Sequence, residues 1–347
     1  MSLHSKAERG LLLRRERYVG MTAAAMRAPS RVAGASNDLP PDYLVLGRAG
    51  SENFPVASRF LPAAYRADLM ALYGWARLVD QLGDDYPGDR LAALDEVERQ
   101  LRLAVSAGYA GPFNDEDQIH PLVAGMAETV RRRALPTDPL FDLVQANRQD
   151  QVVSRYETFQ DLVGYCRLSA NPVGRTVLAI FGFATPQRLA WSDEICTALQ
   201  LVEHWQDVAE DAIVGRAYLP MQDMRRFGVS VEELVPPPTD YVDRTRRGAP
   251  GGASFEARAL LAFEAARARR MLEAGSPLVA SLTGRLRIAV ASFVAGGHAA
   301  LDALAALDFD IYANPSRPTT QRFVLHLLRH LYAPHRASAQ DRREEAP

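Results

Sequence analysis

Residues 199–220, LQLVEHWQDVAEDAIVGRAYLP, carry Asp207 and Asp211 four apart in a helical run that closes on Arg216, Tyr218, Leu219 and Pro220. At about 100° per residue, Gln200, His204, Asp207 and Asp211 fall in one angular stripe, with Glu203 to its side. Like charges at this spacing repel by roughly a few tenths of a kcal/mol on a surface helix, so a single such pair reads as a solvated face. A second stretch changes that reading. YGWARLVDQLGDD (73–85) sets Tyr73, Arg77, Asp80 and Asp84 on one face, again with aspartates four apart inside apolar sequence. Carboxylate oxygens are hard ligands, and Mg²⁺ takes one or two of them while keeping waters and substrate phosphates. Two facing acidic helices can therefore hold a diphosphate through bridging Mg²⁺. Neutralised in this way, diphosphate becomes a leaving group, because the charge developing on the bridging oxygen is stabilised as the C–O bond breaks. The chemistry is ionisation of an allylic or similarly stabilised diphosphate to a carbocation.

A carbocation is trapped quickly by water, so the surrounding pocket must be apolar, and aromatic faces stabilise the cation. Phe54, Tyr73, Tyr165 and Phe181 are the aromatic candidates, each of which also reads as ordinary core packing. In YCRLSANPVGRTVL (165–178), Pro172 either frees the Leu168 carbonyl by kinking a helix or marks a boundary between two helices, and it disfavours helical geometry at Asn171. Arg77, Arg175 and Arg216 are the basic side chains placed in sequence to meet diphosphate oxygens.

Positioning these residues requires long helices, and the chain supplies them. Helical patterns run from about Phe60 to Ala107 with a break at DDYPGDR (84–90), then over 120–133, 138–155, 159–182, 188–213, 255–278 and 280–306. Strand-like alternation is hardly present, so the fold is read as all-α. Residues 1–45 read as a disordered extension, 46–333 as the catalytic domain and 334–347 as a disordered tail; the Pro/Gly-rich segment 235–253 is a loop within the domain. The 40 basic and 42 acidic residues give a formal net charge of −2, which creates no chain-wide field for nucleic acid. Cys166 and Cys196 make neither a disulfide framework nor a zinc spacing and fit buried thiols in a reducing cytosol. No run of about 18 consecutive apolar residues predicts a membrane-spanning helix. The Arg-rich N-terminal stretch is compatible with contact to an anionic inner-membrane surface.

As a set, these stretches resemble the squalene and phytoene synthase family of head-to-head prenyl synthases. The resemblance runs from about Ser51 to Pro318 and rests on SENFPVASRFLP, YGWARLVDQLGD, YCRLSANPVG, QLVEHWQDVAED and GRAYLP. It implies a single-domain helical isoprenoid-synthase bundle with a central apolar cavity, in which the aspartates bind Mg²⁺ and diphosphate. On that footing Asp80, Asp84, Asp207 and Asp211 hold metal, with Glu203 and Gln200 as further ligands or water holders. Arg77, Arg216 and Tyr218 meet diphosphate; Tyr165, Ser169 and Asn171 line the region where the cation rearranges; Ser51, Asn53, Phe54 and Tyr73 complete the substrate-binding set.

Gln81, Asn53, Glu203 and Gln206 stand where the family often has aspartate, serine, asparagine and arginine. The combination NFPVASR, SANPVGR, EHWQDVAED and GRAYLP is similar instead to the bacterial hydroxysqualene synthase branch of the hopanoid pathway. That branch implies ionisation of presqualene diphosphate, cation rearrangement and a water quench. No glycine fingerprint follows a strand, GAPGG (248–252) lying in a loop, so no nicotinamide cofactor is expected. The competing expectations are a synthase that condenses farnesyl or geranylgeranyl diphosphate and a non-catalytic assembly-factor-like relative. Expected partners are the prenyl diphosphate, a peripheral membrane contact and neighbouring enzymes of the hopanoid pathway, with the chain cytoplasmic or peripheral at the inner membrane.

Overall fold

The computed structural model describes residues 39–40, 63–106, 119–236, 252–313 and 319–332, all within a unit that spans Asp38–Pro347. Among them the backbone is helical as expected, with no named strand and one isolated bridge between Arg155 and Ala217. The N-terminal extension, the C-terminal tail and most of the Pro/Gly-rich loop lie outside the described residues.

Helix α1, Ala63–Asp84, and helix α2, Arg90–Val105, meet at the anticipated break, where Asp89 caps α2 by accepting from the Ala92 amide at 3.0 Å. Helix α3, Pro121–Arg133, starts on proline, and His120 accepts from the Leu122 amide at 3.2 Å. Helix α4 covers Asp138–Asp150 and stops short of the expected 155, because residues 154–157 are engaged in backbone pairing described below. Trp75, fully buried on α1, donates its indole N–H to the Leu140 carbonyl of α4 at 3.3 Å. Asp68, also fully buried, accepts from Arg133 Nε at 2.9 Å and from Arg132, which ties α1 to α3. Leu78, Leu82, Leu94 and Met126 fill the space between these helices, and the acidic end of α1 is fixed in place.

Helix α5, Phe159–Ser169, opens with a capping box in which Thr158 and Asp161 satisfy each other's backbone amides. It is followed by α6, Asn171–Ile180; α7, Pro186–Gln206; α8, Val208–Ile213; and α9, Met221–Phe227. Then come α10, Phe255–Gly275; α11, Pro277–Ser281; α12, Gly284–Ala306; and α13, Thr320–Tyr332. Two long helical readings are corrected here. Residues 159–182 divide at Ala170, so Pro172 sits in the first turn of α6, where its missing N–H would have had no helical partner, and Asn171 is helical. Residues 188–213 divide at Asp207, whose φ of −107° and ψ of 13° leave the helix. Helices α9 and α13 have no counterpart in the sequence pattern. Helix α12 is long and apolar enough to cross a membrane by composition alone, yet it packs against α7, α10, α11 and α13 and buries His298 among its apolar residues.

The most extensive helix pairing among the described residues is α7 against α10. At Gly275 an added Cβ would stand 2.6 Å from the Trp191 carbonyl oxygen and 2.6 Å from Ile195 Cγ1. A backbone oxygen cannot swing away as a side-chain tip can, so glycine is what permits the approach. Gly275→Ala should cost about 1–3 kcal/mol of stability in urea unfolding. An unchanged midpoint would show that α10 can withdraw from α7 freely.

Candidate active site

The two acidic helices face each other. Burial, then the neighbouring Asp84 and the Glu203 carboxylate of α7, push the Asp80 carboxyl up to about 6, against the pull of Asn147 and Arg77. Asn147 on α4 donates to Asp80 Oδ1 at 3.4 Å and to the Leu143 carbonyl at 3.2 Å. Gly83 is required beside it, since a Cβ there would overlap the Asn147 amide. Asp84, exposed at the end of α1, lies 3.8 Å from Arg216 Nη1.

Arg216 reaches that point because the chain reverses after α8. Gly215 adopts φ 82°, a left-handed conformation that favours glycine, and the Arg216 amide then donates to the Asp211 carbonyl at 2.9 Å. The following segment pairs with 154–157: Ala217 N–H donates to Ser154 O, Met221 N–H to Tyr156 O and Gln222 N–H to Glu157 O, each at 2.9 Å. Backbone pairing thus returns Arg216 and Tyr218 to the acidic helices. Asp207 caps the end of α7, its amide donating to the Glu203 carbonyl at 3.2 Å. Asp211 is pushed up to about 7, first by burial and then by Asp207, with Glu210 and Asp150 adding to the rise and Arg216 opposing it.

Behind the carboxylates stands a wall of aromatic rings. Tyr156, Tyr165 and Tyr218 are buried with ring centroids 5.5–5.9 Å apart, and His204 stacks on Tyr218 at 3.7 Å with the rings 10° from parallel. Burial and the adjacent Asp150 carboxylate raise all three phenols well above the usual tyrosine range, so they stay protonated. Tyr165 donates to Asp150 Oδ2 at 2.7 Å and Tyr218 to Oδ1 at 3.5 Å. Burial, then Arg216, depress His204 to about 3, so it is neutral beside Asp211, 3.9 Å away, and it shares a hydrogen bond of 3.1 Å with Gln200. Ser169 Oγ, one turn after Tyr165, and Trp205 Nε1 are enclosed without a hydrogen-bond partner.

Asp80, Asp84, Glu203, Asp207, Asp211, Arg77, Arg216, Tyr165, Tyr218 and Gln200 are therefore linked through bonds, stacking or charge. Tyr73 is buried on the same helix as Asp80. Three further candidates have partners of their own. Asn171 is buried and accepts from Thr197 Oγ1 at 2.9 Å, a tie between α6 and α7. Arg175 is engaged by Asp193 at 2.9 Å, and Phe181 stacks on Tyr65 at 4.3 Å. Ser51, Asn53 and Phe54 lie outside the described residues.

Sequence reasoning missed Asp150, Asn147 and Tyr156. The available signal was LVQANRQDQ, where Asn147 and Asp150 stand three apart and share a face at the polar end of an apolar helix. Burial, then the Tyr165 bond and Arg216 pulling down and Asp84 pushing up, leave Asp150 raised to about 6.

Among the described residues no three His, Cys, Asp or Glu side chains close into a cage for a metal ion. Paired carboxylates, of which Asp80 and Asp211 are held above their ordinary range by burial and then by the neighbouring aspartate, nevertheless fit a divalent cation that completes its shell with diphosphate oxygens and water. A carboxyl raised on folding contributes stability that is complete below its unfolded value and lost as pH rises through the folded one. For Asp211 that window runs from about 4 to about 7. Without metal, wild type should lose on the order of 2–4 kcal/mol relative to Asp211→Asn between pH 4 and 8, as read by urea unfolding. A pH-independent difference would mean that Asp211 is solvated.

A profile of the squalene/phytoene synthase family matches residues 48–329. Hydroxysqualene synthase of Zymomonas mobilis is 34% identical over 207 residues, covering 57% of this chain and 65% of that protein. Hydroxysqualene synthase of Sinorhizobium fredii is 34% identical over 187 residues, covering 53% and 60%. The chain thus matches less than two thirds of the length of these relatives. Phytoene synthase of Mycobacterium tuberculosis is 28% identical over 240 residues, covering 69% and 72%. The crystal structure of squalene synthase HpnC from Alicyclobacillus acidocaldarius superposes with a TM-score of 0.66 at 34% identity, covering 80% of this chain and 99% of that one. Members of the matched family are isoprenoid-synthesising enzymes acting on prenyl diphosphates. The fold, the motifs and this coverage together establish that the chain belongs to the squalene/phytoene synthase family.

Proposed function

We propose that this chain is a hydroxysqualene synthase of hopanoid biosynthesis, which ionises presqualene diphosphate and lets water quench the rearranged cation. The observation that carries the reading is the pair of acidic helices ending against a wall of protonated phenols, supported by the 34% identity to hydroxysqualene synthases. Asp80 and Asp84 on one side, and Glu203, Asp207 and Asp211 on the other, would hold Mg²⁺. A divalent cation held there would supply positive charge to the diphosphate oxygens, so that the electron pair of the breaking C–O bond could leave with the bridging oxygen. Arg216 and Arg77 supply further positive charge toward the departing oxygens. Tyr165, Tyr218 and Tyr156 present ring faces to the cation, and Asp150 fixes two of them by accepting their hydroxyl hydrogens. The unpartnered hydroxyl of Ser169 offers a hydrogen bond in the same region. Water then adds through oxygen to the rearranged cation and releases one proton, giving hydroxysqualene and diphosphate.

The matches to phytoene synthases favour a second reading, condensation of two simple prenyl diphosphates on the same motifs. Incubation with Mg²⁺ and no nicotinamide separates the two. Hydroxysqualene from presqualene diphosphate, and nothing from farnesyl diphosphate, is the expected result; presqualene diphosphate or a hydrocarbon from farnesyl or geranylgeranyl diphosphate would assign the chain to the condensing enzymes. No turnover by folded protein would favour a non-catalytic relative. Asp207→Ala should lower kcat/KM by about 10²–10³-fold with its circular dichroism unchanged. Full activity in that variant, with Mg²⁺ still required, would remove Asp207 from the site.

A further inference from the structure

Helix α13, TQRFVLHLLRHLY, is turned the wrong way for a surface helix. Its inward face presents His326, buried and 2.8 Å from Asp302 on α12, while Leu327 and Leu331 are only partly buried against the core. Val324, Leu325, Leu328 and Tyr332 share the opposite side and are 42%, 67%, 48% and 79% exposed. A single exposed leucine is ordinary in a folded protein, but four large apolar side chains on one helical stripe are not. Arg329, exposed, borders the stripe along one edge together with Arg322, whose Nη1 also donates to the Asp302 carbonyl at 2.8 Å, and the helix contains no acidic residue.

We infer that this face of α13 docks on an anionic phospholipid surface, lying in the interface plane with the leucines in the acyl boundary and the arginines at headgroup phosphates. Charge is the first argument, since the helix carries only cationic and neutral side chains, as interfacial helices do. Size is the second. A helix of 13 residues is about 20 Å long, and the exposed parts of these four side chains amount to roughly 400 Å², about half of the roughly 800 Å² per partner of a stable protein interface. A bilayer requires neither that area nor a complementary shape. The inference does not depend on which prenyl diphosphate the enzyme uses.

The full chain should co-sediment with phosphatidylcholine vesicles containing phosphatidylglycerol. Leu325→Glu with Leu328→Glu should reduce partitioning at least about tenfold while helicity and unfolding midpoint stay as in wild type. Arg322→Gln and Arg329→Gln should each weaken binding about fivefold on the anionic vesicles and leave any binding to neutral vesicles unchanged. As a check independent of charge, the fluorescence that Leu325→Trp adds to wild type should be quenched by lipids brominated along the acyl chain. Absence of vesicle binding by wild type, binding that survives the double glutamate variant, or no quenching of that added fluorescence would overturn the inference. A wild-type dimer that the same double variant converts to monomer would assign the face to a second copy instead.

Discussion

Three helices end on an aspartate at one place. Asp84 is the last residue of α1, Asp150 the last of α4, and Asp207 caps α7. A helix C-terminus already carries about half a negative charge, so a carboxylate there is unfavourable by about 0.3–1 kcal/mol each, and basic residues are the usual choice. Here α1 has no basic residue in its last turn, the only basic-type side chain in the last turn of α7 is the neutral His204, and Arg148 at the end of α4 is engaged by Asp95 and Glu98. The fold holds acidic side chains and negative dipole ends together in a partly buried place. The elements around the candidate site either tolerate that repulsion or make use of it.

Toleration comes from rigid attachments set back from the charges. Trp75 and Asp68 lock α1 to its neighbours, and Gly275 lets α10 brace α7 at backbone distance. Burial first, and then the neighbouring carboxylates, make Asp80, Asp150 and Asp211 hold their protons more tightly, which relieves part of the repulsion. Use comes from the same arrangement, because a site short of positive charge favours a cation that brings its own anionic ligand. The three phenols and neutral His204 then form a wall that carries no full charge of its own against the acids.

The helical class and the acidic pairs were legible in the sequence, because a spacing of four on a helix needs no tertiary knowledge to interpret, while Tyr165 and Tyr218 were assigned to the candidate site through the family resemblance. Asp207 shows where this stops. Its spacing from Asp211 suggested one continuous stripe, whereas the helix breaks at Asp207 and the two carboxylates belong to different elements. Asp150 was missed for another reason: its spacing from Asn147 shows a shared polar face, but its bonds to Tyr165 and Tyr218 form only after α5 and the segment beyond Gly215 have folded back. Asn171 and Arg175 show a different limit. Their types suited a polar site, but Thr197 and Asp193 claim them.

The pairing of 154–157 with 217–222 runs through main-chain amides and carbonyls, which every non-proline residue possesses. Side chains along the two segments can therefore drift between relatives while the aim of Arg216 and Tyr218 is inherited intact. Register has no such freedom. One residue gained or lost between Gly215 and Met221 would rotate Tyr218 away from Asp150 and His204, since successive side chains of an extended segment point to opposite sides. Over evolutionary time this part of the site should admit substitutions far more readily than insertions or deletions.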